Sequence, residues 1–307
     1  MTNLSKSQPT ILCAGIAVED ILMRVEHFPA PGTKVSASDY ITVGGGCAAN
    51  AAVAIARLGG RAAFAGPLGA ADDPTSTQIV HNLEQEGIDC SHAVRVNGTT
   101  ASVSLILIDA DGEKTIATRR GDNLGHVLPR DADAALDGID LLLIDNRFPE
   151  FVTVLAQSAR ACGLPIIIDA DKETTEDDPL LSLGTHVIFS TECLRGTTGL
   201  DDMETGLRRM RQRLSAFLCV TDGAQGAFWF DGDDLRRQPA FAVHAIDTLG
   251  AGDTFHGAFA LGFAEGQDIP AALRFAAAAA GLKCEHFGGV AGAPRREAVE
   301  ALLRTRA

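Results

Sequence analysis

The sequence predicts an α/β fold, a mostly parallel central sheet flanked by helices on both faces, with a small β-sheet lid. Three observations predict it. Short runs of consecutive apolar residues, such as TILCAGIA at 10–17, DLLLID at 140–145 and LPIIID at 164–169, read as strands buried on both faces. Alanine-rich or amphipathic segments of helix length alternate with those runs, which is the rhythm of a sheet wrapped by helices. Two stretches, 17–43 and 94–119, break the rhythm with apolar and polar residues in alternation, the pattern of a half-exposed sheet.

The elements follow in order. A strand over 10–17 is followed closely by Asp20. The segment 21–43 holds the breakers Pro29, Pro31 and Gly32, so short strands and turns are expected there. Gly44-Gly45-Gly46 opens an alanine-rich helix through Leu58, which Gly59-Gly60 ends. A strand at 62–66 and a helix at 74–86 come next, then strands at 94–96, 101–109 and 114–119. Asp111-Gly112 is the hairpin turn between the last two. The strand at 140–145 ends at Asn146-Arg147. A helix at 151–162, strands at 164–169 and 187–190, a helix at 206–214 and a strand at 217–221 continue the alternation. Asp231-Gly232 turns a hairpin between 227–230 and 235–237, and helices cover 255–266, 269–287 and 296–304. The whole of 1–307 reads as one domain. Its lid is discontinuous, from about 17–43 and 94–119, and stands over the strand ends where such folds bind ligands.

Composition narrows the function. Of 307 residues, 46% are hydrophobic, enough for a large core, and 21% are charged, too few for a disordered chain. A net charge of -14 argues against nucleic acid as a partner, although local N–H groups and single basic residues can still bind an anionic substrate. The seven cysteines are scattered without a CxxC pair, which fits neither a disulfide framework nor a zinc site. Residues 1–10 are polar, with no apolar signal region, and no apolar stretch approaches about 18 residues. A cytoplasmic protein without a membrane partner is expected.

Four constellations carry chemistry. In Asp247-Thr248-Leu249-Gly250-Ala251-Gly252-Asp253-Thr254-Phe255, small residues precede an apolar helix. Backbone N–H groups there, with the positive end of the helix dipole, make an anion hole. Asp253 at its mouth would repel a phosphate, unless it takes a proton from a nucleophile that attacks that phosphate. The competing reading makes Asp253 an ordinary helix N-cap. Gly44-Gly45-Gly46-Cys47-Ala48-Ala49-Asn50 lets a polyhydroxylated ligand lie against the backbone, with Asn50 as donor and acceptor, or is a plain strand-to-helix turn. Asp20 can accept two sugar hydroxyls, or is a surface turn acid. Thr221-Asp222-Gly223-Ala224-Gln225-Gly226 suits nucleotide phosphates or ribose, or is a structural turn. No GxGxxG or GxxxxGK[ST] is present, which removes support for dinucleotide and P-loop binding.

GGGCAAN followed by AAVAIARLGG, DTLGAGDTFHGAFA and VTDGAQG together resemble, in order and separation, the signatures of the PfkB (ribokinase-like) carbohydrate kinases over nearly the whole chain. The resemblance implies a ribokinase-like fold and ATP-dependent phosphorylation of a sugar hydroxyl: ribose, fructose or a related ketose. It implies Asp253 as the base and Gly250, Ala251 and Gly252 as the anion hole. Asp20, Gly44, Gly45 and Asn50 would bind sugar, and Thr221, Gly223 and Gly226 would face ATP, with Ala277, Ala280 and Cys284 near adenine. Asp247 would hold a monovalent cation such as K⁺, together with carbonyls near 288–292. The family's Asn-x-x-Glu position reads Ser190-Thr191-Glu192-Cys193, leaving Glu192, or Asp171 through water, for Mg²⁺. VGGGCAANAAVAIARLG, LLLIDNRF and GLKCEHFGGVAG are similar to the ketohexokinase and sulfofructose kinase branch, by which Lys34 and Arg147 would bind an anionic or ketose end of the substrate. Thr118-Arg119-Arg120 does not reproduce the sulfosugar pattern. The altered Asn-x-x-Glu leaves open a catalytically silent sugar or nucleotide sensor on the same fold, and a nucleoside kinase is a further alternative. Exposed lid strands suggest a homodimer through the lid.

Overall fold

The structure is a computed structural model and describes residues 8–305. The polar leader at 1–10 lies mostly outside them. The strands are β1 Thr10–Ala14, β2 Val18–Arg24, β3 Asp39–Gly45, β4 Arg61–Ala65, β5 Pro67–Leu68, β6 Val94–Arg95, β7 Ser102–Ile108, β8 Lys114–Arg119, β9 Leu141–Asp145, β10 Ile166–Ala170, β11 His186–Ser190, β12 Phe217–Thr221, β13 Ala227–Asp231 and β14 Asp234–Gln238. The helices are α1 Cys47–Arg57, α2 Pro74–Gln85, α3 Ala132–Ala135, α4 Pro149–Ala161, α5 Pro179–Leu183, α6 Thr191–Thr198, α7 Met203–Arg211, α8 Ala251–Ala264, α9 Ile269–Cys284 and α10 Arg296–Thr305.

The central sheet has the order β14-β13-β12-β11-β10-β9-β1-β4. It is parallel from β4 to β12, and the β13–β14 hairpin extends one edge antiparallel. The two-residue period of a strand sorts its residues into two cores. Ile11, Cys13, Leu141 and Leu143 join residues of α1, α8 and α9 on one face. Leu12, Ala14, Leu142 and Ile144 join Phe151 and Leu155 of α4 on the other. Burial on both faces is why these strands read as unbroken apolar runs. No helix among the described residues is long and apolar enough to cross a membrane.

The small sheet expected as a lid is a separate four-stranded sheet, β3-β2-β7-β8, whose Leu22, Ile106 and Ile108 are buried, with Leu249 and Phe287 packed against them. The expected span from 94 is corrected. β6 pairs with β5 in a separate two-stranded sheet, because the Arg95 guanidinium is held by the carbonyls of Gly69 and Ala70, at 2.9 and 2.7 Å. The short helices α3, α5 and α6 escape a reading based on apolar period. Asp131, Asp178 and Ser190 cap them, each accepting an N–H bond of the first turn.

Candidate active site

The parallel strands β1, β9, β10, β11 and β12 all end on one edge of the sheet, and most of the expected residues collect there. Asp145 closes β9. It is buried and accepts N–H bonds from Ile16 at 2.8 Å, Ala48 at 3.1 Å and Arg147 at 2.9 Å. One carboxylate thus joins the end of β9, the segment after β1 and the first turn of α1. Burial pushes it up to about 6 against the pull of those N–H groups.

Asp253 lies in the first turn of α8, which starts at Ala251 and not at Phe255 as expected. Gly250 takes the left-handed cap position at φ 76°, a conformation other residues adopt at a cost. No side chain caps this helix, so Asp253 is not the N-cap of the competing reading. The Ala251 N–H turns back to Thr248 O at 3.2 Å, which removes it from the expected anion hole. The N–H groups of Gly250, Gly252 and Asp253 have no protein acceptor among the described residues. Small residues let α1 and α8 approach closely, since a Cβ on Gly257 would crowd Ala51 and Ala54. That approach brings Asn50 Nδ2 to 2.6 Å from Asp253 Oδ2. Burial raises the Asp253 carboxyl above its ordinary value; the Asn50 bond opposes this and the charge of Asp171 adds to it.

Two buried residues beside Asp253 were missed. Asp169, near the end of β10, is raised well above the ordinary carboxylate range, first by burial and then by Asp171 and Asp253. His256, one turn beyond Asp253, places Nδ1 2.7 Å from Gly252 O and 3.4 Å from Asp169 Oδ2. Burial lowers its basicity. The (i, i+3) spacing from Asp253 was the available signal for His256. Asp169 looked like one more strand-end residue. Candidate ligand atoms of Cys47, Asp169 and Asp253 lie within 4.8 Å of one another.

Asp20 lies on the inner face of the lid, in register with Val43 on β3, Ser104 on β7 and, through Ser104, Thr118 on β8. Ser104 and Thr118 share a hydroxyl bond of 3.0 Å. A Cβ on Gly45 would overlap the Asp20 carboxylate, so glycine there makes room for the acid. Burial raises Asp20 from 3.8 to about 6, opposed by Ser104 and helped by Asp253. The raised pKa gives a signed prediction. The contribution to stability is full below the unfolded value and is lost as pH rises through about 6. Asp20→Asn should therefore gain on the wild type by up to about 3 kcal/mol between about pH 4 and pH 7.5 in urea melts. If Asp20 accepts substrate hydroxyls, as the resemblance implies, kcat/KM should fall as pH drops through about 6 and its carboxylate is protonated.

The other expected residues divide. Gly44, Gly45 and Asn50 line a cavity of about 270 Å³ with Arg57 and Val290, and neither Asp20 nor Asp253 lines it. Thr221 ends β12, Gly223 opens the turn after it with free space around its Cα, and Gly226 is packed where a Cβ would overlap Gln238 O, a structural reason for that glycine. Ala277, Ala280 and Cys284 follow one another along α9, the first buried and the others half-buried. Lys34 is exposed in the loop between β2 and β3. Arg147 pairs with Asp171 through Nη2, while its buried Nε has no acceptor among the described residues. Glu192 is exposed on α6. In the four-residue stretch, Ser190 caps that helix and Cys193 is buried, its thiol donating to Lys172 O at 3.2 Å. Both oxygens of Asp247 are already engaged: Oδ1 by Leu249 N at 2.8 Å, Oδ2 by Gly288 N at 3.0 Å and Gly289 N at 2.8 Å. The Lys283 ammonium stands 3.3 Å from Oδ2 as well. Of the 288–292 segment expected to lend carbonyls, Gly288 and Gly289 turn N–H groups toward Asp247, and the carbonyls of Val290 and Ala291 accept from Arg57 Nη1 at 3.2 and 2.8 Å.

An uncapped helix start with unspent N–H groups, and a half-buried carboxylate at its mouth held by an amide, suit group transfer at the strand ends of an α/β sheet. The chain belongs to the pfkB family of carbohydrate kinases, whose model matches residues 8–296. It is thus a phosphotransferase acting on a sugar hydroxyl. It is 32% identical to a ribokinase of Bacillus subtilis over 95% of this chain and 99% of that one. A crystal structure from Agrobacterium tumefaciens superposes with a TM-score of 0.92 at 36% identity, covering 98% of this chain and 99% of the other. Arabidopsis thaliana ribokinase, solved with ribose and ATP, superposes with a TM-score of 0.84 at 25% identity, covering 97% and 99%. The leaning toward the ketohexokinase branch finds no support in these relatives.

Proposed function

We propose that the chain transfers the γ-phosphoryl group of ATP to a hydroxyl of ribose or a closely related sugar, with Asp253 as the base. The observation that carries this reading is the Asn50–Asp253 pair at the uncapped start of α8. A carboxylate that neither caps its helix nor pairs with a cation is left free to take a proton. Burial raises its pKa above the ordinary carboxylate value, which makes it a stronger base than an exposed carboxylate. The sugar lies between the lid and α1, bound by Asp20, Gly44, Gly45 and Asn50. ATP lies over the Thr221–Gly223 turn, with Ala280 and Cys284 on the adenine side. The N–H groups of Gly250, Gly252 and Asp253 receive the charge that builds on the transferred phosphoryl group. Lid closure excludes water and limits wasteful hydrolysis of ATP.

The acidic cluster fits Mg²⁺. Carboxylate oxygens are the hard donors that ion prefers, and Asp169 and Asp253 stand close enough to share one region of charge. Asp169 and Asp171 are the residues that would hold it, directly or through water. Bound there, it would neutralise the phosphates of ATP. Exposed Glu192 is not part of this arrangement. Dependence on ATP favours a cytoplasmic enzyme. Tyr40 and Leu105 are exposed on the outer face of the lid, and its edge strands β3 and β8 each pair on one side only, which supports a homodimer through the lid.

A coupled ADP-release screen over pentoses, hexoses, ketoses and nucleosides tests the reading. Turnover should be highest with ribose or another furanose-forming sugar. Sugar binding by calorimetry without ADP release from any substrate would overturn the kinase assignment in favour of a sensor.

A further inference from the structure

Lys283 is completely buried in the last turn of α9. Its Nζ donates to the main-chain carbonyl of Asp247 at 2.7 Å and stands 3.3 Å from Asp247 Oδ2. A buried ammonium is costly unless it is paired. This one is paired with the residue that begins the DTLGAGD stretch.

The surroundings explain what the pairing holds. Ile246 N and Asp247 N both donate to Cys284 O, at 2.7 and 3.1 Å. Asp247 Oδ2 collects Gly288 N and Gly289 N, and Oδ1 collects Leu249 N. The segment that leads into Gly250, the end of α9 and the 288–289 loop therefore meet at one carboxylate and one ammonium. Three residues beyond Asp247, the Gly250 cap begins the anion hole.

A monovalent metal ion does not fit these partners. Such an ion needs a cage of oxygen donors. Here the main-chain oxygen and Oδ2 of Asp247 are both engaged by Nζ, Gly288 and Gly289 face Asp247 with N–H groups, and the carbonyls of Val290 and Ala291 are taken by Arg57 Nη1. We propose that the Lys283 ammonium is a built-in cation that replaces the monovalent metal ion expected beside Asp247. It fixes the loop before α8 with its own charge, and the protein is indifferent to K⁺. The catalytic side of this inference rests on the kinase reading above; the structural side does not.

The experiment compares KCl, NaCl and tetramethylammonium chloride at equal ionic strength, by thermal melting and by initial rates of ADP release. The wild type should show the same Tm in all three salts and the same kcat to within about twofold. A rise of several-fold in kcat, or a clear rise in Tm, specific to K⁺ would overturn the proposal. Lys283→Met fills the same volume without the charge. It should fold with a lower Tm and lose kcat by about tenfold or more, with no recovery in K⁺. A folded Lys283→Met protein with wild-type kcat would also overturn it. If Lys283→Met does not fold, the salt comparison on the wild type still decides. If the wild type turns over no sugar in any salt, the kinase reading fails, and the Tm comparison still decides whether K⁺ has a site.

Discussion

Asp253→Asn should lower kcat by about 10²- to 10⁴-fold while leaving the affinities for sugar and ATP within a few-fold of the wild type. The substitution keeps the shape of the side chain and leaves an amide oxygen to accept the Asn50 Nδ2 bond, now 2.6 Å long. What it removes is the capacity to take a proton. Because burial already strains the ionised carboxylate, the neutral amide should be tolerated by the fold, and Tm should stay level or rise. Single-turnover ADP release, calorimetric binding and thermal melting separate these effects. A folded Asp253→Asn protein with near-normal kcat on its best substrate would remove Asp253 from the chemistry.

Much of the fold and the GAG-bearing site is legible in the amino-acid sequence, for physical reasons. Strands buried on both faces must be apolar throughout, so DLLLID and LPIIID announce β9 and β10 directly. The GAG run before an apolar helix announces backbone that must approach a ligand. Side-chain partnerships were not legible, because they join residues far apart in sequence. Asn50 and Asp253 are 203 positions apart. Asp247 and Lys283 meet because α9 runs back along α8, and a lysine in GLKCEH carries no mark of complete burial. Asp169 and His256 were missed for the same reason: each gains meaning only when the strand ends gather around Asp253. The start of α8 was placed late because glycine and alanine weaken a pattern built on large apolar residues. The sequence puts β6 with the lid strands because nothing local says that Arg95 will be held by the carbonyls after β5.

The largest loss of stability should come from Asp145→Ala. The carboxylate accepts three N–H groups from three separate segments, those of Ile16 and Ala48, both buried, and of Arg147, part-buried. Alanine leaves all three donors without a partner and opens space at the end of β9. Unsatisfied buried donors cost about 1–3 kcal/mol each, with partial relief if water enters, so a loss of about 3–5 kcal/mol is expected in urea denaturation. Asp145→Asn retains one oxygen acceptor but turns an amide donor toward the remaining N–H groups, so it should recover only part of that loss. Function should fail along with stability. Ala48 opens the first turn of α1, and Asn50 follows two residues later. A loosened start of α1 would let Asn50 drift from Asp253 and misplace the Gly44–Gly46 turn. In any Asp145→Asn protein that remains folded at assay temperature, KM for sugar should therefore rise, while the affinity for ATP, proposed to lie over the turn after β12, changes little. A loss below about 1 kcal/mol for Asp145→Ala would mean that those N–H groups find other partners, and that the strand ends are tied together elsewhere.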